Sequence, residues 1–96
     1  MQVAVSYRER GHAHWLEAHT VNLSRTGLMM ECRSGPSIGA PLDLLLMFEP
    51  PLATISCSAR VVRAEHSALT NRWRVGASIF RYVFLRKPQP YSDGPL

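Results

Sequence analysis

Apolar and polar residues alternate along six short stretches of this sequence, and that period of two restricts its fold more than any other feature. Successive side chains of a β-strand point to opposite faces of the sheet, so alternation predicts strands with one buried face. The clearest stretch is residues 54–64, where every second side chain from Ile55 to Val61 is apolar. No stretch has the 3.6-residue period of an amphipathic helix. The sequence therefore predicts an all-β protein.

Turn-forming residues separate the stretches and limit how the strands connect. The predicted strands occupy residues 1–7, 14–23, 28–33, 42–49, 54–64 and 72–79. Six short strands in a chain of 96 residues have room for one modest core, which predicts a single antiparallel domain over residues 1–86, either a six-stranded barrel or a tightly closed sheet. Residues 87–96 are rich in proline and are predicted to form a disordered tail.

The fourth predicted strand is apolar on both faces, so its outer side needs a cover. Alternate residues from Leu42 to Phe48 share one face, and Leu45 and Met47 make the other face apolar as well. Two covers are compatible with the sequence. The apolar residues 80–85 fold back over this face, which is the preferred prediction, or a second subunit buries it in a homodimer.

The charge balance favours an anionic partner. Eleven Lys and Arg residues outnumber seven Asp and Glu residues, and ten of the eleven are Arg, whose planar guanidinium suits phosphates and guanine edges. This bias does not choose among a nucleotide, a nucleic acid and a lipid. No apolar run approaches the roughly 20 residues that span a bilayer, and the first residues lack a secretion signal. The chain is therefore predicted to act in the cytoplasm without a membrane partner, with Cys32 and Cys57 as reduced thiols.

An irregular polar turn between the second and third strands is the one segment that looks built for a ligand. Asn22 and Ser24 can bend the backbone through side-chain hydrogen bonds to main-chain groups, and Gly27 can take a positive φ. Such a turn leaves amide N–H groups free to hold an anion, and Arg25 within it can reach a phosphate. The same residues are ordinary turn formers, so a purely structural role is the competing interpretation.

The order Asn-x-Ser-x-x-Gly at residues 22–27, followed by Leu-Met-Met-Glu, resembles the second signature of the PilZ family, small bacterial barrels whose members bind cyclic di-GMP. The similarity continues along most of the chain. A Pro-Ser-Ile-Gly turn at residues 36–39, an Ala-Arg-Val-Val-Arg strand at 59–63 and an Arg-Val-Gly-Ala-Ser-Ile strand at 74–79 follow in the family's order. The resemblance implies a PilZ-like β-barrel that works as a bacterial signalling module.

The resemblance also implies the ligand and its contacts. Cyclic di-GMP is the implied ligand, with Asn22, Ser24 and Gly27 contacting the nucleotide and Arg25 assisting. No other cofactor is implied. Nucleotide-binding members further carry an Arg-x-x-x-Arg pair before the first strand, which grips guanine and phosphate groups, and this sequence shows no such pair.

Arg8 and Arg10 are not expected to replace the missing pair. They lie at the far end of the first strand, and seven residues at about 3.3 Å each separate its ends by roughly 20 Å. Each lost charge-assisted contact is worth about 1.5–3 kcal/mol. The sequence as given therefore predicts that nucleotide binding is weakened or lost; the alternative is that residues encoded upstream of Met1 carry the pair.

Two functions compete on this evidence, and a third is more distant. The first is cyclic di-GMP binding at residues 22–27. The second is a degenerate adaptor that docks a protein through the apolar face of Leu45, Met47, Phe80 and the residues after it. The third is a basic barrel that binds nucleic acid through the outward-facing Arg72 and Arg74.

Metal binding and catalysis are not predicted. His12 and His14 share a strand face, but no third ligand lies at a recognisable spacing. Cys57 alternates with apolar residues and is predicted to lie in the core. Ser24 lacks the glycine-flanked elbow that exposes a catalytic serine. The chain is therefore predicted not to be an enzyme.

Overall fold

A computed structural model describes residues 3–48 and 54–85, which form a closed six-stranded barrel. The strands are β1 (Ala4–Glu9), β2 (Leu16–Leu23), β3 (Gly27–Cys32), β4 (Pro41–Met47), β5 (Thr54–Ser67) and β6 (Arg72–Phe84). Their order around the barrel is β1-β2-β3-β6-β5-β4, and β4 closes it by pairing with β1. All neighbouring strands are antiparallel. The prediction of an all-β antiparallel barrel is confirmed.

The inward side chains form one core, and alternation identified those of every strand except β2, whose inward face the sequence left open. They belong to all six strands, and the fully buried ones include Val5, Met30, Cys32, Leu42, Leu44, Leu46, Val61 and Val75. Burying one such aliphatic side chain contributes about 1.5–3 kcal/mol to the free energy of folding, so these core residues together supply most of the driving force for closing the barrel. The one buried polar side chain among the described residues is Thr20, whose Oγ1 accepts a hydrogen bond from the Val3 amide at 2.8 Å.

Three β-bulges interrupt the ladders. The extra residues are Val21 in β2, Val62 in β5 and Phe80 in β6. All three are exposed, with 46%, 58% and 59% of their surface accessible. A bulge shifts the register by one residue, so every side chain after it changes face. This effect decides which residues reach the outer surface.

The bulge at Phe80 corrects the predicted end of the last strand. The sequence places strand six at residues 72–79, but β6 continues to Phe84, with Tyr82 opposite Cys57 and Phe84 opposite Ile55. The bulge breaks the alternation at Phe80, and in the sequence such a break looks the same as the end of a strand. Residues 80–84 therefore pair with β5, and the prediction that they fold back over Leu45 and Met47 is wrong.

Leu45 and Met47 are half-buried on the outer face of β4. Their strand neighbours there include Ser6 and Ser56, which flank Leu45. The homodimer that would bury them stays a prediction. The disordered tail predicted for residues 87–96 lies outside the described residues.

Candidate functional site

The turn that joins β2 to β3 consists of residues 24–26 and is held by short hydrogen bonds. The Ser24 amide and the Ser24 hydroxyl both donate to the Gly27 carbonyl oxygen, at 2.9 and 3.2 Å. The predicted side-chain hydrogen bond of Ser24 to the main chain is therefore confirmed. Two bonds from β6 fix the turn from outside. The Ile79 amide donates to the Thr26 carbonyl at 2.9 Å, and the Tyr82 hydroxyl donates to the Ser24 carbonyl at 3.5 Å.

Gly27 is required for a different reason from the one that the sequence suggested. The described glycines with positive φ are Gly11 and Gly39, so Gly27 does not use the positive φ that a glycine allows. A Cβ at this position would lie 2.7 Å from the Ala77 carbonyl oxygen, well inside van der Waals contact. The missing side chain thus lets β3 start close against β6.

Asn22, Ser24 and Gly27 lie on one cleft on the outer face of the barrel. Its volume is about 400 Å³, and it is lined by Asn22, Ser24, Gly27, Leu28, Met29, Val62, Arg63, Gly76 and Ala77. Four of these residues form a row across the strands. Asn22 is opposite Met29, Met29 is opposite Gly76, and Gly76 is opposite Arg63. Because Gly76 has no side chain, the surface along this row has a shallow depression, or dip, between Met29 and Arg63.

Two of the bulges create this row. Thr20 and Val61 point into the barrel, so simple alternation would also bury Asn22 and Arg63, two residues further along. The extra residues Val21 and Val62 reverse the pattern and turn both polar side chains outward. Bulges that re-aim side chains in this way are common beside functional sites.

Arg63 is the functional candidate that the sequence analysis missed. It is the one charged residue lining the cleft, and no salt bridge joins it to a carboxylate within residues 3–48 and 54–85. By contrast, Arg8 and Arg10 both contact Asp43, at 3.2 and 3.4 Å. The sequence carries a local signal of the bulge, but not of the strand pairing that brings Arg63 to the cleft. Val61 and Val62 are two β-branched residues in succession, followed by an Arg at a position that alternation would bury.

Arg25 lies in the turn, but it does not line the cleft with the other three predicted residues. It is exposed and lies close to Tyr82 on the other side of the turn. Burial raises the pKa of the Tyr82 phenol, and the Arg25 guanidinium partly opposes that rise. Arg25 is therefore not a lining residue of the cleft, and its assisting role stays a prediction.

A second cleft, of about 640 Å³, runs along β1 and β2 and is larger than the first. Its charged and titratable lining residues are Tyr7, Glu17, His19, Glu31, Arg33 and Arg72. Two carboxylates face the same space as the two guanidinium groups. This cleft is therefore less suited to a phosphate than the first one, where Arg63 is the only charged lining residue in the described part of the chain.

The remaining reactive groups are buried or scattered. Cys32 and Cys57 are free thiols in the core, and burial raises the pKa of Cys57 to about 11. Both thiols are thus held in the neutral form, which is a poor nucleophile. The described part of the chain contains no cluster of three or more His, Cys, Asp or Glu side chains that could hold a metal ion. None of its helices could span a membrane, because the described residues form no helix.

Comparison with known proteins identifies the domain family that this barrel resembles. The family model of the PilZ domain matches residues 1–84 of the chain. The match therefore covers all six strands and the cleft. Searches of curated proteins and of solved structures found no significant match.

Proposed function

Because the chain belongs to the PilZ domain family, we propose that it is a signalling module that binds cyclic di-GMP in the cleft beside the β2–β3 turn. A PilZ domain implies a module that binds this nucleotide or acts as an adaptor. One observation carries the nucleotide proposal. The fold brings Asn22, Ser24 and Gly27 onto the same cleft as Arg63, which forms no salt bridge with a carboxylate of the described residues. We place the module in the bacterial cytoplasm, where the sequence predicts it.

The cleft offers the chemistry that a dinucleotide needs. Its volume of about 400 Å³ falls within the roughly 300–1,000 Å³ typical of small-molecule sites. The Arg63 guanidinium can form paired hydrogen bonds to a phosphate or to a guanine edge. The Asn22 amide and the Ser24 hydroxyl supply donors and acceptors on the opposite side. A flat base can pack against the side chains of Met29 and Arg63, which flank the buried Gly76.

We expect this binding to be weak. The sequence contains no two arginines four positions apart, so the pair that grips the nucleotide in binding members has no counterpart in it. Arg8 and Arg10 are held by Asp43 and do not line the cleft. At about 1.5–3 kcal/mol for each contact, loss of the pair weakens binding by a factor of hundreds or more, and Arg63 offsets part of that loss.

Titration calorimetry on this chain tests the proposal. At about 100 µM protein, cyclic di-GMP should give a saturable heat. Arg63→Ala should weaken binding by about ten- to a hundredfold, because it removes the one guanidinium of the cleft. Arg33→Ala is the matched control, since Arg33 is exposed and lies on the other cleft. An absence of heat in the unaltered chain would contradict the nucleotide function.

Fusing an Arg-x-x-x-Arg segment upstream of β1 tests why binding is weak. The added pair should raise affinity by a factor of a hundred or more, and an Ala-x-x-x-Ala fusion of the same length should leave it unchanged. Equal affinities for the two fusions would show that the missing pair is not what limits binding.

An adaptor function is the second candidate, and the surface of β6 favours it. Phe80 and Phe84 are 59% and 70% exposed, and the neighbouring Val83 and Leu85 are also exposed. Contiguous exposed apolar residues commonly mark protein interfaces. Size-exclusion chromatography separates a monomer with a free surface from a homodimer that covers it.

Nucleic-acid binding has less support. The net charge of +4 is modest, and Arg74 on the outer face is paired with Glu31 at 3.8 Å. A salt-dependent shift of short oligonucleotides would be required for this function, and its absence removes it.

A further inference from the structure

The last part of β6 extends past the end of its neighbour. β3 pairs with β6 only from Trp73 to Ser78, and the turn adds one bond at Ile79. Beyond that point β6 pairs with β5 on one side only, within the part of the chain that the structure describes. Residues 80–84 thus form an open strand edge next to the β2–β3 turn.

The hydrogen-bond pattern shows which backbone groups this edge presents. The Leu85 amide donates to the Thr54 carbonyl at 3.0 Å, so Leu85 is bonded towards β5. In an antiparallel ladder the direction of the backbone groups alternates from residue to residue. Val83 is therefore also bonded towards β5, and the N–H and C=O groups of Tyr82 and Phe84 point to the open edge. These four groups are spaced as an added strand requires.

The side chains of the edge do not protect it. Natural sheet edges are usually blocked by Pro, Lys or other charged residues, which prevent pairing with another chain. Between Phe80 and Phe84 the only charged residue is Arg81. Phe80, Tyr82, Val83 and Phe84 are all at least 38% exposed.

The charges around the edge favour an acidic partner over a second copy of the chain. The hydroxyl of Tyr82 contacts the turn that carries Arg25, so two cations, Arg25 and Arg81, flank the edge. A symmetric dimer would bring the Arg25 and Arg81 side chains of both copies close together, four cations in all. Each copy already has a net charge of +4. A segment with a carboxylate opposite Arg25 would compensate this charge instead.

We propose that the β6 edge binds an extended segment of a protein partner by strand addition, with apolar side chains against Phe84 and a carboxylate towards Arg25. The inference specifies the partner and the binding mode for the adaptor function, on which it rests, and it does not require nucleotide binding.

Selection from a displayed library of random peptides tests the proposal, with the full chain as bait and no nucleotide present. The enriched peptides should alternate apolar residues and carry Asp or Glu. Phe84→Pro removes a backbone donor at the open edge while leaving the bonds of β6 to β5, and should weaken the best peptide by about tenfold or more. Urea unfolding verifies that this variant is folded.

A charge reversal gives a second, independent test. Arg25→Glu should weaken the same peptide by about tenfold or more, whereas Arg33→Glu, which makes the same change on a distant loop, should not. Selection of no peptide would overturn the proposal. So would peptides that bind both Phe84→Pro and Arg25→Glu as tightly as the unaltered chain, or a stable homodimer that competes with the peptide. Because no nucleotide is used, a failed calorimetric titration leaves this outcome unaffected.

Discussion

The interior of the barrel depends on regular alternation along the strands, whereas the cleft on its outer face depends on breaks in that alternation. In the interior, regular alternation places residues such as Leu44 and Val75 at 0% exposure. In the cleft, two extra residues, Val21 and Val62, break the alternation and turn Asn22 and Arg63 outward. The comparison shows that regularity makes the fold and that departures from regularity make the candidate site.

The largest expected effect is a loss of stability when a side chain of the barrel interior is shortened. Leu44→Ala removes a fully buried side chain and should lower the free energy of unfolding by about 2–5 kcal/mol. Leu69→Ala is the control, because Leu69 is 97% exposed and its loss should change stability by less than about 0.5 kcal/mol. Urea denaturation of both variants measures the difference. Equal stabilities would mean that the barrel interior is not packed as described.

Substitutions of two glycines at the cleft should distinguish an effect on stability from an effect on cyclic di-GMP binding. Gly27→Ala places a methyl group 2.7 Å from the Ala77 carbonyl and should cost about 1–3 kcal/mol in the free energy of unfolding. Gly76→Ala meets its nearest atom, Arg63 Cβ, at 3.4 Å and should change stability by less than about 1 kcal/mol. It should nevertheless weaken cyclic di-GMP binding, because the methyl group fills the dip. Urea unfolding and calorimetry on both variants measure the two effects. A Gly76→Ala variant that binds as well as the unaltered chain would show that the dip is not used.

The buried thiol of Cys57 predicts a smaller, pH-dependent effect in the interior. Burial raises its pKa from 9.0 to about 11, so the native state holds the proton more tightly than the unfolded state. This stabilisation is fully present below pH 9 and is lost as the pH rises towards 11, by at most about 1.4 kcal/mol per pH unit. In Cys57→Ala the free energy of unfolding should fall less steeply over that range. Identical slopes in urea titrations at pH 8 to 11 would contradict the assignment.

The comparison also explains what the sequence could predict. Alternation depends on residues two positions apart, so Val5, Leu28 and Leu42 could be assigned to the core without the structure. A bulge depends on how two strands pair, and nothing local at Phe80 distinguishes it from a strand end. For this reason the last part of β6 was predicted incorrectly.

The site was predictable only in its local part. Asn22 and Ser24 belong to one short motif, and both line the cleft. Arg63 reaches the cleft through the pairing of β5 with β6, and the need for glycine at position 27 comes from Ala77, fifty residues later in the chain. Contacts between such distant positions follow from strand order and register, which a single sequence does not specify.

The most direct test of the central claim is an NMR titration of the labelled chain with cyclic di-GMP. The account predicts that the largest amide shifts occur at Asn22, Ser24, Gly27, Arg63 and Gly76, which four different strands and one turn bring together. Shifts at His19 and Arg33 on the larger cleft, or no shifts at any concentration of nucleotide, would contradict it.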